Sequence, residues 1–386
     1  MKSERDTPWA SIRAFILVVF LFTMGFQIAA LAQTTSSSSQ NPGGPPRDLD
    51  EGPTISPIPI VKPVTETGAG IALEYKYRLD PNSTLSSSSS TAAGGFITSN
   101  RSWGAGLNQK LFFHDDRWRL RFAGSYSELL YNYYGIGTAA GEAGGHAGIS
   151  ELTFQRAIGA LGEVLFRVGE MWYIGPQYRF IRTKARLHPN PQFDPAFANP
   201  VGQDTHVGML GPRILRDSRS DANYPRDGSL FDLRALLGGE GTGSQLHYQT
   251  YNLSYAKFLS VAPRQVLAMR GATCVTRGTT PFWDECIVTT SENLRGYKAS
   301  RYRDDNFLAG QAEYRWEAWG RLGFTAFGGV GEVAPKYEDF NGGNLLPGYG
   351  AGVRYRITRE SHVNIRFDYA WGKHSREGYL YIGEAF

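Results

Sequence analysis

Residues 361–371 read Ser-His-Val-Asn-Ile-Arg-Phe-Asp-Tyr-Ala-Trp. Sorted by parity, Val363, Ile365, Phe367, Tyr369 and Trp371 fall on one face and His362, Asn364, Arg366 and Asp368 on the other. That is the alternation of a β-strand with one apolar and one wet side. The pattern recurs along most of the chain with almost no helical periodicity to supply a covering layer, so the lipid bilayer is the cover it predicts.

The first 32 residues set the compartment. Lys2, Arg5 and Arg13 make a basic start, Ala14 to Phe26 an apolar run, and Ala30-Leu31-Ala32 a small-residue site before Gln33, the layout of a cleavable secretory signal over 1–32. The apolar run is short of the roughly 20 residues a membrane helix needs, and no later stretch supplies them. Spanning therefore falls to strands, which must close on themselves because open sheet edges are not tolerated in hydrocarbon.

Composition agrees. Forty-six glycines, 21 Tyr, 22 Phe and 8 Trp suit membrane strands with tight turns and interfacial aromatic girdles. A mean hydropathy of −0.33 suits a polar interior. No Lys/Arg block marks a nucleic-acid surface, so no nucleic-acid partner is expected.

Residues 33–56 are rich in Ser, Pro, Gly and Asn and read as a disordered periplasmic leader, followed by a barrel over 57–386. Sixteen strand-like segments follow one another from Ser56–Lys62 to Gly378–Phe386. The expected fold is all-β, a transmembrane antiparallel barrel of 16 strands. Leu308, Ala312, Tyr314 and Trp316 oppose Gln311, Glu313, Arg315 and Glu317; Tyr349, Val353 and Tyr355 oppose Arg354 and Arg356. The charged faces should line the lumen, since arginine facing lipid at the midplane costs roughly 2–4 kcal/mol. Residues 150–170 read either as one long strand or as two short ones.

Three further segments carry a resemblance. Asn293-Leu294-Arg295-Gly296-Tyr297, followed by Leu308-Ala309-Gly310-Gln311-Ala312-Glu313-Tyr314-Arg315, resembles the long extracellular lid loop and next strand of the BamA/TamA outer-membrane assembly family, also called the bacterial surface antigen family. Asp217-Ser218-Arg219 with Pro225-Arg226-Asp227-Gly228 is similar to that family's periplasmic hairpin, and Leu380-Tyr381-Ile382-Gly383-Glu384-Ala385-Phe386 to its closing strand. The strand count puts the first segment in an extracellular connection and the second in a periplasmic one, where the family has them.

The resemblance implies a lid made of Leu294, Arg295, Gly296 and Tyr297 that folds into the lumen. Arg295 would then need a carboxylate, which Glu313 can provide through charge-assisted hydrogen bonds. The alternative is an exposed loop arginine beside an unrelated lumen glutamate. The chain departs from the family at Phe327-Gly328-Gly329-Val330-Gly331, where a second carboxylate is usual and Gly329 has none. A lid held less firmly is the expectation, with Glu332 facing the wrong way to substitute.

Cys274 and Cys286 are the only cysteines. A disulfide between them suits an exported chain and is worth about 3 kcal/mol against the unfolded state; the alternative is two unpaired thiols. Asp217 and Arg219 share a face, Asp221 joins them if the segment stays extended, and Pro225 and Gly228 form the turn. In the closing strand, Ile382, Gly383 and Phe386 read as seam and sorting residues, Phe386 alternatively as an interfacial anchor, with Glu384 near the headgroups. The Gly141–Gly148 stretch reads as an extracellular loop.

No Gly-x-Ser-x-Gly elbow, His-Glu-x-x-His or phosphate loop occurs, and the seven histidines are scattered, so no enzyme, cofactor or metal site is expected. The resemblance implies residence in the bacterial outer membrane among its lipids. It also implies work on client outer-membrane proteins, through a weak seam between first and last strands. Only about two dozen residues precede the first strand, so the family's periplasmic POTRA domains are expected to be absent, with periplasmic partner subunits in their place. The competing expectation is a lid-gated or leaky pore with a transport, structural or surface role.

Overall fold

The computed structural model describes residues 38–39, 47–48, 51–60, 68–83, 85–143, 150–189, 201–357 and 362–386. The signal segment and most of the leader lie outside these residues.

One antiparallel sheet of 16 strands runs through the chain in sequence order. Its strands are β1 (Gly52–Ile60), β2 (Gly68–Tyr77), β3 (Ser89–Thr98), β4 (Trp103–Phe113), β5 (Trp118–Tyr133), β6 (Ser150–Gly169), β7 (Trp172–Pro189) and β8 (Val201–Asp217). There follow β9 (Gly228–Gly238), β10 (Tyr248–Ala262), β11 (Gln265–Gly278), β12 (Asn306–Trp319), β13 (Leu322–Ala334), β14 (Leu346–Arg356), β15 (Asn364–Gly372) and β16 (Ser375–Ile382). Every neighbour is the next strand in the chain, and β1 and β16 at the two ends approach within 8 Å between Cα atoms, which curls the sheet into a barrel. β1 begins inside the segment read as leader. β6 is one long strand, kinked by bulges at Phe154/Arg156 and Arg167/Gly169 rather than divided.

The period-2 pattern sorts residues between lipid and lumen. Ile365, Phe367, Tyr369 and Trp371 of β15 face outward, while Asn364, Arg366 and Asp368 are buried inside. Val363 departs from the expected face: it precedes the strand and is buried. In β12, Leu308, Tyr314 and Trp316 are exposed, while Gln311, Glu313 and Arg315 are buried. The outer surface carries an apolar belt with clustered aromatics, such as Trp316, Trp319 and Phe324 with centroids 5.9–6.2 Å apart. Apolar atoms facing solvent over so wide a band are stable only against lipid.

Two connections fold into the barrel instead of away from it. The β11–β12 connection enters from one end, and the β8–β9 hairpin and the residues after β16 enter from the other.

Candidate functional site

The β11–β12 loop forms the lid. Cys274 of β11 and Cys286 are joined in a disulfide that ties the loop's start to the wall, and a two-residue ladder pairs Cys286–Ile287 with Arg303–Asp304. Tyr302, packed edge-on to Tyr297 at 5.2 Å between centroids, joins Val288 and Leu294 in an apolar cluster against Phe307, Val333 and Leu346 of the wall. The loop is therefore packed inside the lumen.

Arg295 sits at the far end of that packing, 1 % exposed. Its Nη1 lies 2.7 Å from Glu313 Oε2 on β12 and 2.7 Å from Asp368 Oδ2 on β15. Its Nη2 donates to Gln311 Oε1 at 3.3 Å, and its guanidinium lies over the Phe327 ring at 3.5 Å from the centroid. Of the two sequence readings, the exposed loop arginine is excluded.

Gly329 does lack a carboxylate, but the expected weakening does not follow, because Asp368 provides the second acid from β15. The space at Gly329 belongs to Gln311, whose Cβ would stand 2.6 Å from a Cβ placed there. Glu332 faces away from the lid and accepts from the Gly342 and Asn344 amides at 3.2 and 3.4 Å.

Gly296 has φ +109°, and a Cβ there would meet the Trp371 carbonyl oxygen at 2.6 Å, so a glycine is required. Its amide donates to Tyr379 Oη at 2.9 Å, and Tyr379 donates to the Tyr297 carbonyl at 2.8 Å. Tyr297 Oη donates to the Pro347 carbonyl at 2.6 Å and accepts from the Lys373 amide at 2.9 Å. Burial raises the Tyr297 phenol to about 12, so it stays a neutral donor. The lid tip is thus stitched to β14, β15 and β16.

The acids that hold Arg295 belong to a larger buried lattice. Arg315 Nε donates to Glu313 at 2.7 Å, Arg354 Nη1 to Asp368 at 2.5 Å, and Arg354 Nε to Glu384 at 2.8 Å. Arg366 stands 3.8 Å from Asp368 and 4.9 Å from the Tyr381 ring centroid. Four guanidiniums face three carboxylates, each stabilised by the others in a space where it alone would be strongly disfavoured.

A second anchor holds the lid to the opposite wall. Asp284 pairs with Arg179 of β7 and accepts from Tyr248 Oη of β10 at 2.5 Å. Trp283 beside it is buried among Phe154, Ile181 and Met209. Above the lid, the Thr138–Ala143 helix occupies part of the stretch read as a plain loop. Its Gly141 carbonyl accepts from Arg301 at 2.9 Å, and Glu142 pairs with Lys373 at 2.6 Å. The rest of that stretch, 144–148, lies outside the described residues.

At the periplasmic mouth, Arg219 forks onto Asp217 at 2.9 and 2.8 Å. The chain turns after Arg219, and Asp221, still close enough to act on the Arg219 charge, caps the Asn223 and Tyr224 amides at 2.7 and 2.9 Å and meets His362 at 3.0 Å. Pro225 and Gly228 close the hairpin, Gly228 at φ +96° with the Ser218 carbonyl oxygen 1.9 Å from where a Cβ would stand. The hairpin reaches across the barrel, with Arg226 3.3 Å from Glu317 of β12 and Tyr224 below Arg315.

The closing segment departs from its expected course. Gly383, at φ +92°, ends β16 after Ile382, which pairs with Ile365. The chain then turns inward. Phe386 packs 6.4 Å from Phe258 in the lumen and its backbone oxygen accepts from Arg315 at 2.9 Å, so it is no interfacial anchor in this structure. Glu384 is not at the headgroups but buried on Arg354. Sequence alone missed Asp368, Phe327 and Tyr379 as wall contacts of the lid, Arg354 as a member of the lattice behind them, and Asp284 as the lid's second anchor. The wet-face parity of Asp368 and Arg354 was readable, but their meeting across the lumen was not.

Comparison with known proteins adds the lineage. A family model described as the Omp85 superfamily domain matches residues 91–386. The fold resembles BamA from Haemophilus ducreyi lacking POTRA domains 1–3, with a TM-score of 0.57 at 13% identity over 87% of this chain and 70% of that one. It resembles CdiB from Acinetobacter baumannii (TM-score 0.54, 11% identity, 87% of this chain and 60% of that one) and CdiB from Escherichia coli (0.57, 11%, 92% and 68%). No curated protein matches the chain.

Proposed function

Because this chain belongs to the Omp85 superfamily and resides in the bacterial outer membrane, we propose that it contributes to inserting or translocating proteins there, together with partner subunits. The observation that carries this reading is the composition of β1 at the seam. Pro53, Pro57 and Pro59 share one parity, and alternate residues of a strand address alternate neighbours. The continuous β1–β2 ladder needs its donors on the β2 side, so the prolines fall on the side facing β16. Of the residues Pro53, Ile55, Pro57 and Pro59, only Ile55 then offers an amide to the seam. On the other edge, β16 ends at Ile382. A seam so thin in donors parts at lower cost than any other strand pair, and its freed edges can template a client strand.

A lid-gated pore is the second reading, favoured by a lumen cavity of about 410 Å³ between lid and hairpin. The two are separated by locking the seam. With the native disulfide kept, cysteine pairs between Ile55 and Tyr381 or Ile382 are oxidised in cells, and the outer-membrane protein content is followed. Loss of client proteins on oxidation, absent from variants that carry only one of the two introduced cysteines, is expected. Unchanged content with a fully locked seam refutes the insertion reading and leaves the pore.

A further inference from the structure

The long strand β7 carries its alternation past the point where lipid should end. Trp172, Ile174 and Tyr178 face outward and are exposed, while Tyr173, Gln177, Ile181 and Thr183 face the lumen and are buried. By that parity Arg182, Lys184 and Arg186 continue the outward face, Arg182 exposed and the other two half-exposed. β6 adds an exposed Arg156 directly opposite Lys184. β8 adds His206 opposite Arg182 and an exposed Asp204 opposite Lys184. Four cations thus share one patch of outer wall with one carboxylate.

Two observations bracket the height of this patch. From Trp172 to Arg182 the strand advances ten residues, which at about 3.3 Å each and a tilt of about 40° rise about 25 Å, the height of the apolar band of such barrels. A lower limit comes from the β9–β10 loop, which folds over the same wall. Tyr178 Oη donates to the Thr242 carbonyl at 3.0 Å, and a Cβ on Gly208 would collide with that carbonyl oxygen. Irregular backbone is not exposed to hydrocarbon. The hydrocarbon therefore ends between Tyr178 and Arg182, and the cations begin in the headgroup layer, at the end of the barrel where the lid enters.

Among the described residues nothing neutralises the three cations of β7. Arg182, Lys184 and Arg186 make no ion pair or hydrogen bond there, and Asp204 stands across from Lys184 without pairing with it. Arg156 is engaged by the Tyr126 phenol, so it adds charge without being a free anchor. Like charges directly opposite one another across a ladder are destabilising, and Arg156 and Lys184 stand in that relation. An anion lying between them relieves the repulsion.

We infer that this patch docks a multiply phosphorylated lipid of the outer leaflet, its phosphates on Arg182, Lys184 and Arg186 and its acyl chains against the wall below. Guanidinium forks match phosphate oxygens, and the Lys184 ammonium adds a point charge. Ile158, Ile174 and Phe180 lie on the same outward face and offer the chains an apolar surface. A free anion would use the cations alone.

The test counts lipid retained by the purified full chain in non-ionic detergent, by native mass spectrometry, with bisphosphorylated lipid A as the probe. The wild type should hold it saturably and about ten-fold or more tighter than lipid A stripped of its phosphates. The triple variant Arg182→Gln, Lys184→Gln, Arg186→Gln should lose that preference, and Asp204→Asn should tighten binding. Arg376→Gln, which removes an exposed cation of β16 at the same end of the barrel, should change nothing. Heat-modifiable gel mobility checks that each variant is folded. The inference is overturned if the wild type holds phosphorylated and dephosphorylated lipid A alike, or if the folded triple variant binds as the wild type does. Displacement of the lipid by an equal concentration of inorganic phosphate also overturns it, leaving a site for a free anion.

Discussion

Replacing Arg295 with alanine removes the lid cation that is held by two carboxylates of the wall. Its guanidinium contacts Glu313 and Asp368 at 2.7 Å each and lies 3.5 Å from the centre of the Phe327 ring, with no side-chain exposure. Breaking a buried ion pair by removing one partner costs about 3–5 kcal/mol. A desolvated cation over an aromatic face contributes about 2 kcal/mol. Arg315 and Arg354 remain on the same two acids, so the acids are not stranded and the lower end of the range applies. A loss of about 3 kcal/mol shifts the lid from closed toward open by roughly two orders of magnitude. Arg295→Lys keeps the charge and loses the fork, and should fall between. The assay is single-channel conductance of the purified protein in planar bilayers. The wild type should be nearly closed, Arg295→Ala should open frequently, and Asp368→Asn should open more often than the wild type. A wild type that conducts steadily, with Arg295→Ala indistinguishable from it, refutes the reasoning: the lid would then not be the seal, however well it is packed.

Glu285, in the lid, is pushed up to about 8 by burial, opposed by Arg303 and reinforced by Asp305 and Asp304. Because the folded lid binds this proton more tightly than the unfolded chain, its stabilisation is complete below the ordinary carboxylate value and is lost as pH rises toward 8. Conductance should therefore show more openings at pH 9 than at pH 5, and Glu285→Gln should remove that difference. Replacing Cys274 and Cys286 together by serine releases a cross-link across 12 residues and should destabilise the protein by about 3 kcal/mol, read from urea unfolding in lipid vesicles with and without reductant. An unaltered midpoint would show that the packed lid alone holds the loop. Gly228→Ala forces a Cβ against the Ser218 carbonyl in a left-handed backbone and should lower stability by about 1–3 kcal/mol in the same assay, whereas Asp227→Ala, on the exposed side of the turn, should cost less.

The alternation of apolar and polar residues is a property of neighbours in the chain, and it was enough to establish a 16-stranded barrel and which side of each strand meets lipid. The strand count, with its consistent up-and-down order, also assigned the Leu294–Tyr297 segment and the Asp217–Gly228 segment to opposite ends. What parity cannot tell is which inward residues meet across the lumen. Glu313 is close to Arg295 in sequence and on the next strand, and was within reach of a reading by chemistry. Asp368 lies 73 residues from Arg295, and Arg179 lies 105 residues from its lid partner Asp284. Those meetings depend on the curvature that brings distant strands face to face. The inward turn at Gly383 is of the same kind. Alternation predicts that Glu384 and Phe386 continue the strand, and only the lattice of Arg315 and Arg354, assembled from two other strands, makes the interior the more favourable place for the Glu384 carboxylate and the Phe386 backbone oxygen.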